Sequence, residues 1–264
     1  MEEKVPVFEP SSCLDFRDGE GLYAKKSINY WLSFSMLYFF LLLFFPMIGN
    51  AAGLPSFHAN YELRVNGMVL GETIFELSKE GGNRLIFTHS TRPTGILAGI
   101  DRGRKDRSIL ILHEDSLRPV EFQGFNTLRG KPREGSLHFN WSAGTVEGIW
   151  NNQPWRADLK ETFHDPLSYQ LAIMLDLAKG KKNLHYLIAE DARIKSYHFR
   201  ITGNESRKTI AGAFDTVRVE RVQDSDKRHT ILWCAPTLSY LPVQVEQQDA
   251  KTNYLMVLRK VEGL

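Results

Sequence analysis

Residues 57–77, FHANYELRVNGMVLGETIFEL, decide the fold. Tyr61, Leu63 and Val65 alternate with polar neighbours, and Thr73, Phe75 and Leu77 share one face of the return. Successive side chains on a strand point to opposite faces, so a period of two reads as a half-buried strand on each side. Asn66-Gly67 between them suits a two-residue hairpin loop, whose central residues take positive φ. An antiparallel hairpin opens the domain.

Working outward, the same pattern repeats. Gly81-Gly82-Asn83 turns the chain into Leu85 and Phe87, and a looser Pro93-to-Gly103 connection leads to Ile109 and Ile111, then to Val120 and Phe122. Gly130-Lys131-Pro132 precedes Leu137, Phe139 and Trp141; Ala143-Gly144 precedes Val146, Gly148 and Trp150. The four residues Asn151-Asn152-Gln153-Pro154 read as a turn into Trp155, Ala157 and Leu159. Later strands are marked by Tyr197/Phe199/Ile201, Val217/Val219, Ile231/Trp233, Val243/Val245 and Leu255/Val257, with Thr202-Gly203-Asn204 as a turn. Turns at roughly 8–12-residue spacing belong to antiparallel sandwiches and barrels.

One segment breaks the rhythm. Asp165 as N-cap, Pro166 at the first helical position and Gly180 past the end predict a helix over about 166–179. Leu167, Leu171, Met174, Leu175 and Ala178 form a stripe that Ala172, Ile173 and Leu177 widen almost all round. A helix so apolar must be covered. The expected fold is all-β and mainly antiparallel: a curved sheet or partly open barrel-like fold, with this one central helix across its concave side.

The N-terminal side reads differently. Between Ser27 and Tyr61 there is no Asp, Glu, Lys or Arg, and Trp31–Ile48 is a nearly continuous apolar run behind Lys25-Lys26. A basic pair ahead of such a run keeps its N-terminal side in the cytoplasm and sends the rest across. Gly49 and Ala51 supply the small residues that a signal peptidase reads, which places cleavage between Ala51 and Ala52. The run is also long enough to stay as a membrane anchor. The expectation is residues 1–51 as leader plus signal peptide or anchor (apolar run 31–48), and 52–264 as a single exported domain. The acidic stretch before Lys25 raises the further expectation that translation begins inside it. The domain then sits in the periplasm, free or tethered to the inner membrane.

Charge excludes one class of partner. The formal net charge is +2, and residues 1–51 hold only four Lys/Arg and six Asp/Glu, so the remainder is also near neutral. The densest basic run, Arg102 to Arg107, is interrupted by Gly103 and Asp106 and reads as a solvated loop. No nucleic-acid partner is expected. The two cysteines, Cys13 and Cys234, fall on opposite sides of the apolar run and would be in different compartments. Cys234 reads as a thiol packed in a strand, and disulfides do not staple this domain.

The order and spacing of several short pieces resemble an exported bacterial family known as domain of unknown function 3108. These are Arg107-Ser108, Arg118-Pro119-Val120 with Phe122, and Asp165-Pro166-Leu167-Ser168. Then come Gly212-x-Phe214-x-Thr216-x-x-Val219, Trp233, and Leu241-Pro242-Val243-x-Val245-Glu246. The resemblance spans roughly residues 57–262 and implies a signal-bearing envelope protein. It carries over no activity and no catalytic residue.

The chain holds no HExxH, GxSxG, Walker-type loop or GxGxxG. His58, His89, His113, His138, His164, His185, His198 and His229 are scattered singly, so neither a metal nor a cofactor is expected. His164-Asp165-x-x-Ser168 is the tightest cluster, but at a helix start Asp165 has the simpler task of accepting backbone N–H bonds. Trp141, Trp150 and Trp155 fall in three successive strands, with Trp150 and Trp155 as cross-strand neighbours. They are the candidate ligand-binding residues, lining a cavity for an apolar or lipid-like molecule; the alternative is sheet core. The expected function is a non-catalytic envelope protein that binds such a ligand. The alternatives are a structural or assembly factor that holds an envelope protein, and a hydrolase with an unrecognised site.

Overall fold

The opening hairpin forms as its sequence predicts. β1 (Phe57–Val65) pairs antiparallel with β2 (Met68–Gly81), and Asn66 and Gly67 turn between them at φ of 50° and 83°. The computed structural model describes residues 54–264 apart from 96–97, 99–102, 114–115, 128–131, 161–162 and 223–227. The leader, Cys13, the apolar run 31–48 and the Ala51/Ala52 junction lie outside the described residues.

Six strands continue the first meander: β3 (Arg84–Pro93), β4 (Arg104–His113), β5 (Ser116–Asn126), β6 (Arg133–Asn140), β7 (Thr145–Trp150) and β8 (Gln153–Asp158). A two-residue strand β9 (Phe163–His164) leads into the helix α1 (Ser168–Ala178). The second meander is β10 (Asn183–Glu190), β11 (Arg193–Thr209), β12 (Gly212–Val222), β13 (Arg228–Ala235), β14 (Leu241–Asp249) and β15 (Asn253–Glu262). All join one sheet, in the order β8-β7-β6-β5-β4-β3-β2-β1-β15-β14-β13-β12-β11-β10-β9. The first and last strands meet in the middle, and only β9 pairs parallel, with β10. This is the curved antiparallel sheet with one central helix that the sequence predicts.

α1 fills the concavity. Leu171, Met174 and Leu175 join a core with Phe57, Phe75 and Phe87, whereas Ala172, Ile173 and Leu177 join a second one with Phe199, Val219 and Leu232. Leu171 and Ile173 are fully buried, a gain of about 1.5–3 kcal/mol for each such side chain. The helix is shorter than the expected 166–179. Leu167, not Asp165, is its N-cap, and Asp165 and Pro166 lie before the first turn; Asp165 still holds the helix entry, accepting from the N–H groups of Leu167 and Ser168 at 2.7 and 2.8 Å. Gly180, at φ 71°, closes the helix as expected.

The alternation fails where both faces are covered. Leu232 and Cys234 face α1, so Ile231 and Trp233 point to the outer side. Trp233 is nevertheless buried, because the far half of the β11–β12 hairpin bends over it. Arg207 lies 4.0 Å above its ring, Glu205 accepts its indole N–H at 2.5 Å, and the N–H of Ala211 reaches the Leu258 carbonyl. Thr202-Gly203-Asn204 is therefore no turn: the ladder slips there by a bulge that bends one long strand. A bulge between Ile109 and Leu110 likewise buries both, in place of the expected pair Ile109 and Ile111. Cys234 is a fully buried free thiol, and burial pushes its pKa up.

Candidate functional site

The three tryptophans share the inner face of β6–β8, against the larger core. Trp141 stands just past the end of β6, stacked on Phe139 at 6.4 Å, with its N–H donated to the Pro119 carbonyl at 2.7 Å. Trp150 covers Gly135, where any Cβ would collide with the indole, and tilts against Phe122 at 6.2 Å. Its own N–H is buried without a partner. Trp155 stands opposite Gly148, and Trp150 opposite Gln153, so these two are diagonal rather than direct neighbours. The correction comes from the turn: Asn151 and Asn152, both at positive φ, make it two residues long instead of four.

The pocket beside α1 is small and none of the three tryptophans lines it. Between α1 and the strands, Phe57, Tyr61, Phe75, Phe87, Met174 and Leu241 line a pocket of about 20 Å³. That is room for about one water molecule. A far larger depression, about 680 Å³, lies over β5–β8. Most of its lining alternates to the outer, exposed face, including Glu121, His138, Glu147 and Arg156, which stand opposite one another in a single row across the four strands. Arg156 and Glu147 pair at 3.2 Å.

Among the described residues, β8 beside it is the end of the sheet and pairs with β7 alone. Trp150 and Gln153 close the two-residue turn as a hydrogen-bonded pair, so bonded and non-bonded pairs alternate from there. The Pro154 carbonyl and the N–H and C=O groups of Arg156 and Asp158 consequently point away from β7, toward the open side. Such an edge can accept another strand.

Two buried polar clusters lie elsewhere in the fold. In the first, the Ser108 hydroxyl donates to Asp165 Oδ2 at 2.5 Å, and the Asp165 N–H donates back to Ser168 Oγ at 3.0 Å. The three side chains have no exposure and latch the helix start to β4. Burial raises the Asp165 pKa, against the pull of its hydrogen bonds. His164 is set beside this latch, edge-on to Tyr186 at 5.5 Å, and burial lowers its pKa to about 4. Its Nδ1 has no partner.

The second cluster escapes sequence reasoning because its members come from three strands. Arg104 Nε meets Asp106 Oδ2 at 2.5 Å, His89 Nδ1 meets the same oxygen at 3.0 Å, Thr91 Oγ1 lies 3.1 Å from His89 Nε2, and Thr73 Oγ1 3.0 Å from Thr91. With Nδ1–H donated to the carboxylate, Nε2 accepts from Thr91 and Thr91 accepts from Thr73. Hydroxyl, imidazole and carboxylate stand in the order of a nucleophilic triad. Thr91 is only 4% exposed, however, and Phe75 stacks on the imidazole at 4.5 Å, so a substrate has no approach. The cluster clasps β2, β3 and β4. Its one sequence signal is polar residues at inward positions, Thr73, His89, Thr91 and Asp106.

These features define a class: a barrel-like β protein whose helix plugs the sheet, with its openings on the outer face and edge. The chain belongs to the family described as protein of unknown function (DUF3108), whose model matches residues 60–258. It is also similar to a solved β-barrel-like protein of domain of unknown function DUF1849 from Brucella abortus. The TM-score is 0.50 at 14% identity, over 79% of this chain and 98% of that one. At that identity the likeness is one of fold. No curated protein matches the chain.

Proposed function

We propose that this is an exported, non-catalytic envelope protein that works by holding a protein partner on the outer face and free edge of β5–β8. The observation that carries this reading is the contrast between two pockets: about 20 Å³ beside α1, against about 680 Å³ over the outer face. A β-strand of the partner would extend the ladder at β8, and its charged side chains would meet the row from Glu121 to Arg156. Export rests on the Lys25-Lys26 pair ahead of the apolar run Trp31–Ile48.

The reading first expected from the sequence, an apolar ligand inside the sheet, needs α1 to swing out. The nearly all-apolar lining of the small pocket marks where such an opening would start. The two are separated by placing a photo-crosslinking residue at Pro154, Arg156 or Lys208 in cells with an intact envelope. Capture of one protein from the two β8 positions and not from Lys208, on the β11–β12 hairpin, supports the partner reading. Equal capture from all three positions, or none, defeats it.

A further inference from the structure

The β10–β11 hairpin brings two of the scattered histidines face to face. We propose that His185 and His198 form a surface binding site for a divalent transition-metal ion of the imidazole-preferring class, Cu²⁺ or Zn²⁺, held by their two Nε2 atoms.

His185 stands directly opposite His198 in the ladder. Glu190 and Arg193 close the two-residue turn at Asp191-Ala192, and counting back from that pair makes 185/198 a non-hydrogen-bonded pair. Side chains come closest in such pairs, whose Cα atoms are about 4.5 Å apart. The two rings stack with centroids 4.1 Å apart and planes 18° from parallel. Both Nε2 atoms converge on one point: His185 Nε2 is 2.9 Å and His198 Nε2 3.0 Å from Ser196 Oγ.

That hydroxyl has one proton. It can donate to one Nε2 and must accept from the other, so the two rings are held in different tautomers. A metal ion resolves the mismatch. Both rings then carry their proton on Nδ1 and direct Nε2 lone pairs at the cation, at about 2.0–2.1 Å. Both side chains are exposed, so their rings can rotate between rotamers to meet the ion. Among the described residues no group of three or more His, Cys, Asp and Glu is placed to hold a metal. The other coordination positions therefore fall to the Ser196 hydroxyl and water, as in an open N,O site. Asn183 and Arg200 form the next row on this face, and the guanidinium lowers the affinity without blocking the site.

The test is Cu²⁺ titration of the full chain in detergent, read by electron paramagnetic resonance. Wild type should bind one Cu²⁺ per chain with hyperfine coupling to two imidazole nitrogens. His185→Ala and His198→Ala should each weaken binding by roughly tenfold or more and leave coupling to one, since even an outer-shell partner is worth about tenfold. Ser196→Ala should keep both nitrogens. Zn²⁺ in parallel should raise the melting midpoint of wild type and not of the two histidine variants, whose metal-free midpoints confirm that they fold. Cu²⁺ affinity unchanged in both histidine variants, or coupling to one nitrogen in wild type, overturns the site.

Discussion

Replacing Asp165 with Ala should unlatch the helix from the sheet. Its Oδ1 accepts from the Leu167 and Ser168 N–H groups at 2.7 and 2.8 Å, and its Oδ2 from the Ser108 hydroxyl at 2.5 Å. Loss of its bonds to the helix-entry N–H groups costs about 1 kcal/mol. Leaving the Ser108 hydroxyl buried and unpaired adds about 1–3 kcal/mol, so the total is about 2–4 kcal/mol. Ser108→Ala alone should cost less than the sum, because it removes the orphan together with the bond. In the double variant the two effects should fail to add by about 0.5–3 kcal/mol. Urea unfolding of residues 52–264, followed by circular dichroism and tryptophan fluorescence, reads all four corners of the cycle. A loss below about 1 kcal/mol for Asp165→Ala, or strict additivity, would refute the latch. The sign with pH is also defined. Burial raises the carboxyl above its ordinary 3.8, so its contribution is fully present below that value and is lost as pH rises through the raised one. The deficit of Asp165→Asn relative to wild type should therefore shrink as pH rises.

Three further outcomes follow from the same geometry. Leu171→Gly should destabilise by about 2–5 kcal/mol through the cavity and by about 1 kcal/mol more for glycine in a helix, by the same unfolding assay; a loss under about 1 kcal/mol would mean that α1 lies open. His164 is held at about 4 instead of 6.5, so its contribution is present above pH 6.5 and lost as pH falls toward 4. That is about 3 kcal/mol in all, and His164→Gln should flatten this limb of the stability profile. Residues 1–60 fused to a reporter active only outside the cytoplasm should give full signal. Leu41→Arg with Leu43→Arg should abolish it, since each charge at mid-membrane costs about 2.5–3.5 kcal/mol.

Local chemistry made much of this fold legible. Asn66-Gly67 dictated its hairpin, and the Asp165 and Gly180 ends bracketed the helix to within a few residues. The resemblance read from Gly212, Phe214, Thr216 and the Leu241-Pro242-Val243 strand agrees with the family match. What was lost was lost to long-range packing. Ile231 and Trp233 marked a strand but not its buried face; the bent β11–β12 hairpin makes the outer face there a second interior. Bulges shift the alternation by one residue, and nothing in Ile109-Leu110-Ile111 announces where. The site divided likewise. The tryptophans do share a face, but Gly135 lets Trp150 lie flat on the sheet, a relation that needs the register to be seen. The stacked pair His185 and His198 was invisible for the same reason.

Whether the protein works from its surface or from its concave side turns on whether that side admits a ligand. The direct measurement is the uptake of a fluorescent fatty-acyl probe by delipidated residues 52–264. With about 20 Å³ beside α1, cooperatively folded protein should show no saturable binding, and the emission of Trp141, Trp150 and Trp155 should stay unquenched. Saturable one-to-one uptake with tryptophan quenching, weakened by Trp150→Ala more than that change weakens the fold, would contradict the account and return the ligand to the concave side.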